Sequence, residues 1–323
     1  MTRVHVLSTG GTIASTGGDS GAAPSKSGAD LVDAVPGVDE HADVTVEEVA
    51  SVPGFDMDPA TMAEVSRRAN AAVEDGADGV VVTHGTDTLA ETAYFLDATL
   101  AEGVPAVVTG AQRRPDETSA DGPANLRLAV RAAADDRVGG GAYVAFNDEL
   151  HAGRDVVKEH THRLDTFRSP NAGPVAVYTR GSARFYRDAR RRATHLPVDG
   201  APAGRVEMVL SAAGVDGAQV RRAVESGADG LVVAGTGLGN TTAELGEAIA
   251  DAVAGGTPVV VCSRCHAGGV DAVYGTPGGG YTLREAGVIH AGDLPPQKAR
   301  LKLLLALEHA DEPAAVRPLV ERR

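Results

Sequence analysis

Residues 80–88 read VVVTHGTDT, and they decide the fold. The β-branched run Val80, Val81 and Val82 delivers His84, Gly85, Thr86, Asp87 and Thr88 to a strand end, where a helical pattern begins at once. Short polar side chains are thereby placed where a parallel sheet opens, the usual seat of a ligand in such sheets. A second segment, VHVLSTGGTIAS at 4–15, repeats the design: an apolar run, a turn at Gly10 and Gly11, then a hydroxyl at Thr12. Two threonines on two strand-end turns, one beside a carboxylate, suggest nucleophilic chemistry on a carbonyl.

Outward from these turns, strand-like runs alternate with amphipathic helical patterns, the signature of an α/β protein with a mainly parallel sheet. Helices are expected over 59–74, where Met62, Val65, Ala69, Ala72 and Val73 share a face, and over 88–101. Others are expected over 123–134, 216–226, 242–254 and 297–309, with strand-like runs at 106–108, 142–146 and 206–210. VEDGADGVVV (73–82) is echoed by VESGADGLVV (224–233), each a helix end, a glycine turn and a strand. The first copy leads into THGTDT and the second into AGTGLGN (234–240), implying two related lobes with the sharper chemistry in the first. The expected architecture is a larger N-terminal doubly wound, mostly parallel domain over 1–184 and a smaller C-terminal α/β domain over 205–323. The span 185–204, Arg-rich and containing Pro197, reads as a linker, with Arg190, Arg191 and Arg192 forming a salt-bridged surface.

At 323 residues the chain is long enough for two domains, and its net charge of −14 argues against nucleic-acid or anionic-membrane partners, which require a basic face. Lysine occurs only at positions 26, 158, 298 and 302, and the other 26 cations are arginines. Such a surface fits a protein kept soluble in concentrated salt, and equally a GC-rich genome. The chain runs from Met1 straight into strand-like residues without the apolar stretch of an export signal, so a cytoplasmic location is expected. No stretch approaches the roughly 18 apolar residues of a membrane span. Cys262 and Cys265 cannot close a four-ligand zinc site and read as a pair of small buried residues.

A hydroxyl nucleophile needs a base or a nearby cation. Thr12 and Thr86 are the candidate hydroxyls and Asp87 the adjacent carboxylate. Lys158, in GRDVVK (153–158), stands alone between Lys26 and Lys298, and a compact amine in an arginine-rich chain suggests a group whose proton can be moved. STGGTIAS around Thr12 and THGTDTLAETAYFL at 83–96 resemble the two signatures of the bacterial-type L-asparaginase/glutaminase family. The resemblance continues through TGAQ (109–112), SADGPANL (119–126), Asn147-Asp148, 153–158 and PQKA (296–299), covering nearly the whole chain in order.

The resemblance implies a two-domain protomer that hydrolyses the side-chain amide of asparagine through a threonine acyl-enzyme, without metal or organic cofactor. It implies Thr12 as nucleophile and Thr86, Asp87 and Lys158 as a second hydrogen-bonded triad, Asp87 also meeting the substrate α-amino group. Backbone around Gly11, Thr12 and Ala111 would stabilise the oxyanion. The implied substrate-binding positions are Gly11, Gly54, Phe55, Asp56, Gly85, Ala111 and Asn240. The implied partners are a small amino-acid substrate and further copies of the chain, in a dimer or tetramer with active sites near subunit interfaces.

Three departures stand out. The loop over 13–30 lacks the family's tyrosine and looks shortened, leaving as the base for Thr12 either Lys158 through Thr86, Lys26, or a tyrosine from elsewhere. Gly54 and Phe55 replace two polar residues, one of which grips the substrate carboxylate, so Phe55 is expected to narrow the pocket. GGGYTLRE (278–285) offers no clear match for the acidic residue a neighbouring subunit contributes, and Asn240 matches a shared asparagine loosely. Rival readings are a glutaminase, an ammonia-supplying amidotransferase subunit, whose usual extra N-terminal domain is not seen before the first signature, and a catalytically weak amino-acid binder. His160 and His162 read as a solvated pair, His84 as a turn residue, and Asp121 and Asn125 as caps of the following helix.

Overall fold

The structure, a computed structural model, describes residues 2–18, 21 and 23–322 and divides into two compact units, Met1–Ala201 and Pro202–Arg323. The first follows the path β1 (Arg3–Gly10), a small hairpin of β2 (Ser15–Thr16) and β3 (Ala23–Pro24), α1 (Gly28–Asp33), β4 (Asp43–Val52), α2 (Pro59–Glu74) and β5 (Gly79–Thr83). It continues through α3 (Leu89–Thr99), β6 (Pro105–Thr109), α4 (Gly122–Ala133) and β7 (Gly141–Phe146). Short strands complete it: β8 (Glu149–Ala152), β9 (Val157–Lys158), β10 (Phe167–Arg168), β11 (Ala176–Tyr178) and β12 (Ala183–Phe185).

The main sheet has the order β12-β11-β8-β7-β6-β5-β1-β4. The five strands from β7 to β4 are parallel to their neighbours, and β8, β11 and β12 extend the sheet antiparallel. From β1 the chain crosses to β4 on one side, whereas from β5 it crosses to β6 on the other. The winding therefore reverses between β1 and β5, and a crevice opens beyond their carboxyl ends. The register sets Val4 opposite Gly79 and Ser8 opposite Thr83, so β1 runs two residues past the end of β5. Thr12 and Thr86 both follow this switch point.

The VVV run is uninterrupted because β5 is covered on both faces. Val80 and Val82 pack with Leu7, Val65, Leu89 and Leu96 on the α2/α3 side, and Val81 packs with Val6, Leu126 and Ala129 on the α4 side. Local chemistry sets the helix ends: the Asp58 carboxylate accepts the Thr61 N–H, and Pro59 fills the first position of α2, where no N–H is needed.

The second unit contains β13 (Val206–Leu210), α5 (Ala218–Glu225), β14 (Gly230–Gly235), α6 (Ala243–Ala254), β15 (Val259–Ser263), α7 (Gly280–Glu285), β16 (Ile289–His290), α8 (Pro296–Glu308) and α9 (Pro313–Glu321). Its sheet is parallel throughout, in the order β13-β14-β15-β16. Val220, Leu245 and Ile249 from α5 and α6 cover one face over Leu231 and Val233. Among the described residues no helix is long and apolar enough to cross a membrane.

The expected linker needs correction. Most of 185–204 is built into the first unit: the buried Asp97 carboxylate accepts the N–H groups of Arg192 and Ala193, and the Leu196 N–H bonds the Ala98 carbonyl. The arginine triplet differs from expectation too, since the Arg191 guanidinium donates to the carbonyls of Leu100 and Ala101.

Candidate active site

Two left-handed glycines, Gly10 (φ 96°) and Gly11 (φ 81°), turn the chain out of β1 and set Thr12 at the head of a 3-10 turn, Thr12–Ala14. Three turns then meet backbone to backbone. A Cβ on Gly11 would lie 2.3 Å from the Gly85 nitrogen, one on Gly85 2.4 Å from Gly54 Cα, and one on Gly54 2.9 Å from the Gly85 carbonyl carbon. No side chain fits at these contacts. Gly11, Gly54 and Gly85, expected as substrate-binding positions, are thus the reason the site can close up. Thr9 Oγ1 donates to the Thr83 carbonyl and Thr88 Oγ1 to the Gly54 carbonyl, at 2.9 and 2.6 Å, locking the turns together.

His84 does serve turn geometry. Its ring is fully buried, with Nδ1 2.7 Å from the Gly85 carbonyl and Nε2 2.8 Å from Thr92 Oγ1. The carbonyl can only accept, so Nδ1 carries the proton and Nε2 accepts from Thr92. Burial pushes the imidazole pKa down to about 4, and the bond to Gly85 opposes that shift.

The predicted triad assembles as expected. Lys158, on β9, donates to Thr86 Oγ1 at 2.9 Å and to Asp87 Oδ1 at 2.8 Å. Thr86 is buried, Lys158 has 17% of its side chain exposed and Asp87 56%. The ion pair therefore sits at the mouth of the crevice, where solvent screening limits its stabilisation to about 1 kcal/mol or less. Thr12 is half-buried, and its hydroxyl has no hydrogen-bonding side chain among the described residues, tyrosines included. Lys26 lines a small apolar cavity with Ile13, Leu31 and Leu126. The loop's tip, residues 19, 20 and 22, lies outside the described residues.

Several expected positions behave differently. The Gly11 N–H bonds the Val52 carbonyl at 3.1 Å and cannot also serve an oxyanion, which leaves the amides of Thr12 and buried Ala111. Phe55 is 71% exposed, and Asp56 beside it is exposed too. Asn240 lies in the second unit, where its Oδ1 accepts the Gly280 N–H at 2.9 Å. Cys262 is buried but Cys265 is exposed, so they are not a buried pair. His160 and His162 meet edge-on at 4.7 Å, and His160 Nδ1 accepts the N–H groups of His162 and Arg163, shaping the turn after β9. No group of residues suited to a metal ion occurs among the described residues.

Asp121 and Asn125 are more than helix caps. The Asp121 carboxylate bonds no helix N–H at its cap. It accepts the amides of Gln112 (3.1 Å) and Arg113 (2.8 Å) and the Asn125 Nδ2 (3.0 Å). Asn125 Nδ2 also donates to the Gly110 carbonyl, and its Oδ1 accepts the Asn147 N–H, each at 3.0 Å. Together they fix the loop that carries Ala111. A carboxylate followed by an amide four residues later on a helix was the available signal.

Residues 3–191 match the model of the asparaginase N-terminal domain, and 205–319 that of the glutaminase/asparaginase C-terminal domain. The chain is 36% identical over 329 residues to L-asparaginase 2 of Escherichia coli, covering 99% of this chain and 92% of that protein. It is 35% identical over 330 residues to a glutamyl-tRNA(Gln) amidotransferase component of Methanothermobacter thermautotrophicus, covering 98% and 74%. Its fold is similar to the crystal structure of a probable cytoplasmic L-asparaginase from Campylobacter jejuni, with a TM-score of 0.89, 32% identity and 99% of each chain covered. The crevice between β1 and β5, its two threonines and the lysine that joins Thr86 to Asp87 are thus those of a member of the asparaginase/glutaminase family, to which this chain belongs.

Proposed function

We propose that this chain is an L-asparaginase, converting L-asparagine and water to L-aspartate and ammonia. Thr12 Oγ1 attacks the side-chain amide carbon, and the tetrahedral oxyanion is met by the N–H groups of Thr12 and Ala111. Collapse expels ammonia, which takes up the proton lost by Thr12 and leaves an aspartyl ester, and water then releases aspartate. The observation that carries this reading is the bridge from Lys158 to both Thr86 and Asp87 at the crevice that also holds Thr12. Of the candidates for moving the nucleophile's proton, the Thr86–Lys158 pair is the one favoured, because its hydrogen bond joins a crevice hydroxyl to an amine.

Asparagine is chosen over glutamine on the similarity to L-asparaginases. A cytoplasmic, homo-oligomeric enzyme with an acid-rich, salt-tolerant surface completes the reading. The rival reading, an ammonia-supplying part of a larger amidotransferase, draws on the similarity to the methanogen protein. Ammonia release by the purified chain alone separates them. Asparagine should be preferred by about ten- to two-hundredfold in kcat/KM, the reach of one methylene. Equal values would make the enzyme a dual amidase, and no release from either amide would favour a component that needs its partner.

A further inference from the structure

Gln112 has no role in the chemistry above, yet it touches Thr86. Its Oε1 lies 3.3 Å from Thr86 Oγ1, and its Nε2 donates to the Arg163 carbonyl at 3.2 Å. Its backbone N–H is held by Asp121 at 3.1 Å. The amide has one sensible orientation. The Arg163 carbonyl can only accept, so it must face the NH2 end, and the oxygen must face Thr86. The Lys158 ammonium can only donate, so Thr86 accepts from it and its own hydroxyl proton points at Gln112.

The geometry points to Gln112 as a positioning residue that sets the direction of the Thr86 hydroxyl proton and, through it, how readily Lys158 releases a proton. The inference rests on the reading of Thr86, Asp87 and Lys158 as the proton-handling array. While Lys158 is an ammonium, Gln112 Oε1 accepts the Thr86 O–H and Thr86 accepts from Lys158. Once Lys158 is a neutral amine, Thr86 can turn its proton onto Nζ and present a lone pair to the crevice. Gln112 thus favours the charged state of Lys158, and a donor already engaged with Gln112 makes Thr86 the better acceptor. Among the described residues, the charged or titratable groups bonded to this chain of bonds or next to its members in sequence are Asp87, Arg113, Asp121, Glu159 and Arg163, with His84 buried two residues before Thr86.

Two substitutions act in opposite directions. Gln112→Met removes the acceptor at similar volume, and Gln112→Glu keeps an acceptor and adds a negative charge. With four lysines in the chain, lysine labelled at Cε yields four signals, and Lys158→Arg identifies the one from Lys158. The Lys158 titration midpoint should fall by about half a pH unit in Gln112→Met, the size of one modest hydrogen bond, and rise by about one unit in Gln112→Glu. The signals of Lys26, Lys298 and Lys302 should stay in place. In Gln112→Met, kcat for asparagine should drop about three- to tenfold with KM changed less than about twofold. Coincident Lys158 midpoints in the three proteins, or a shift of the same sign in both variants as general loosening would produce, overturns the inference. Absence of asparagine turnover in the parent protein would instead overturn the functional reading, because the titration does not depend on it.

Discussion

Lys158 meets a hydroxyl and a carboxylate from one turn, two partners at fixed and different positions. A compact ammonium can serve both, whereas a planar guanidinium cannot reproduce that geometry or release a proton at working pH. Lys158→Arg should therefore lose activity nearly as fully as Lys158→Ala, by about a hundredfold or more in kcat. Near-normal turnover in the arginine variant would show that charge alone suffices. His84 makes a different demand. Its folded pKa of about 4 lies below the ordinary 6.5, so the unfolded chain takes up a proton first as pH falls. The stabilisation is fully present above about pH 6.5 and is lost as pH falls towards 4, up to about 3 kcal/mol for this group. Denaturant melts of parent and His84→Gln at pH 7 and 5 should show the smaller pH loss in the variant, and parallel losses would contradict this.

At the scale of elements, the site exists because three turns touch through glycine. Gly85→Ala would drive a methyl to 2.4 Å from Gly54 Cα, which only a backbone shift can relieve. It should destabilise the fold by about 1–3 kcal/mol and depress turnover, because Thr12 and Thr86 ride on the displaced turns. Gly181→Ala, with open space around it, should do neither. Equal effects of the two in thermal melts would refute this role for the glycine contacts. Legibility followed the same physics. α2 could be read to the residue, because a cap at Asp58, Pro59 at the start and five apolar residues on one face all agree. Thr12 and the three residues of the triad, Thr86, Asp87 and Lys158, were legible as family signatures on short segments. Asp97 gripping 192–193, and Gln112 held between Asp121, Thr86 and Arg163, are bonds across long stretches of chain that no local pattern encodes. That is why 185–204 read as a linker and Gln112 had no role beyond its place in TGAQ. The short strands β11 and β12 escaped for a related reason, having too few residues to show a period.

For the whole molecule, a net charge of −14 imposes self-repulsion that salt screens, the Debye length shrinking from about 10 Å at 0.1 M to about 3 Å at 1 M. Melting temperature and activity should rise between dilute buffer and molar potassium chloride, and unchanged values would leave genome composition as the account of the lysine-poor surface. The central claim, however, is that Thr12 attacks the substrate. Rapid acid quench during asparagine turnover, followed by peptide mass mapping, tests it most directly. An aspartyl adduct on the peptide holding Thr12, absent in a folded and inactive Thr12→Ala, is the predicted result; an adduct on Thr86, or turnover surviving in Thr12→Ala, would contradict it.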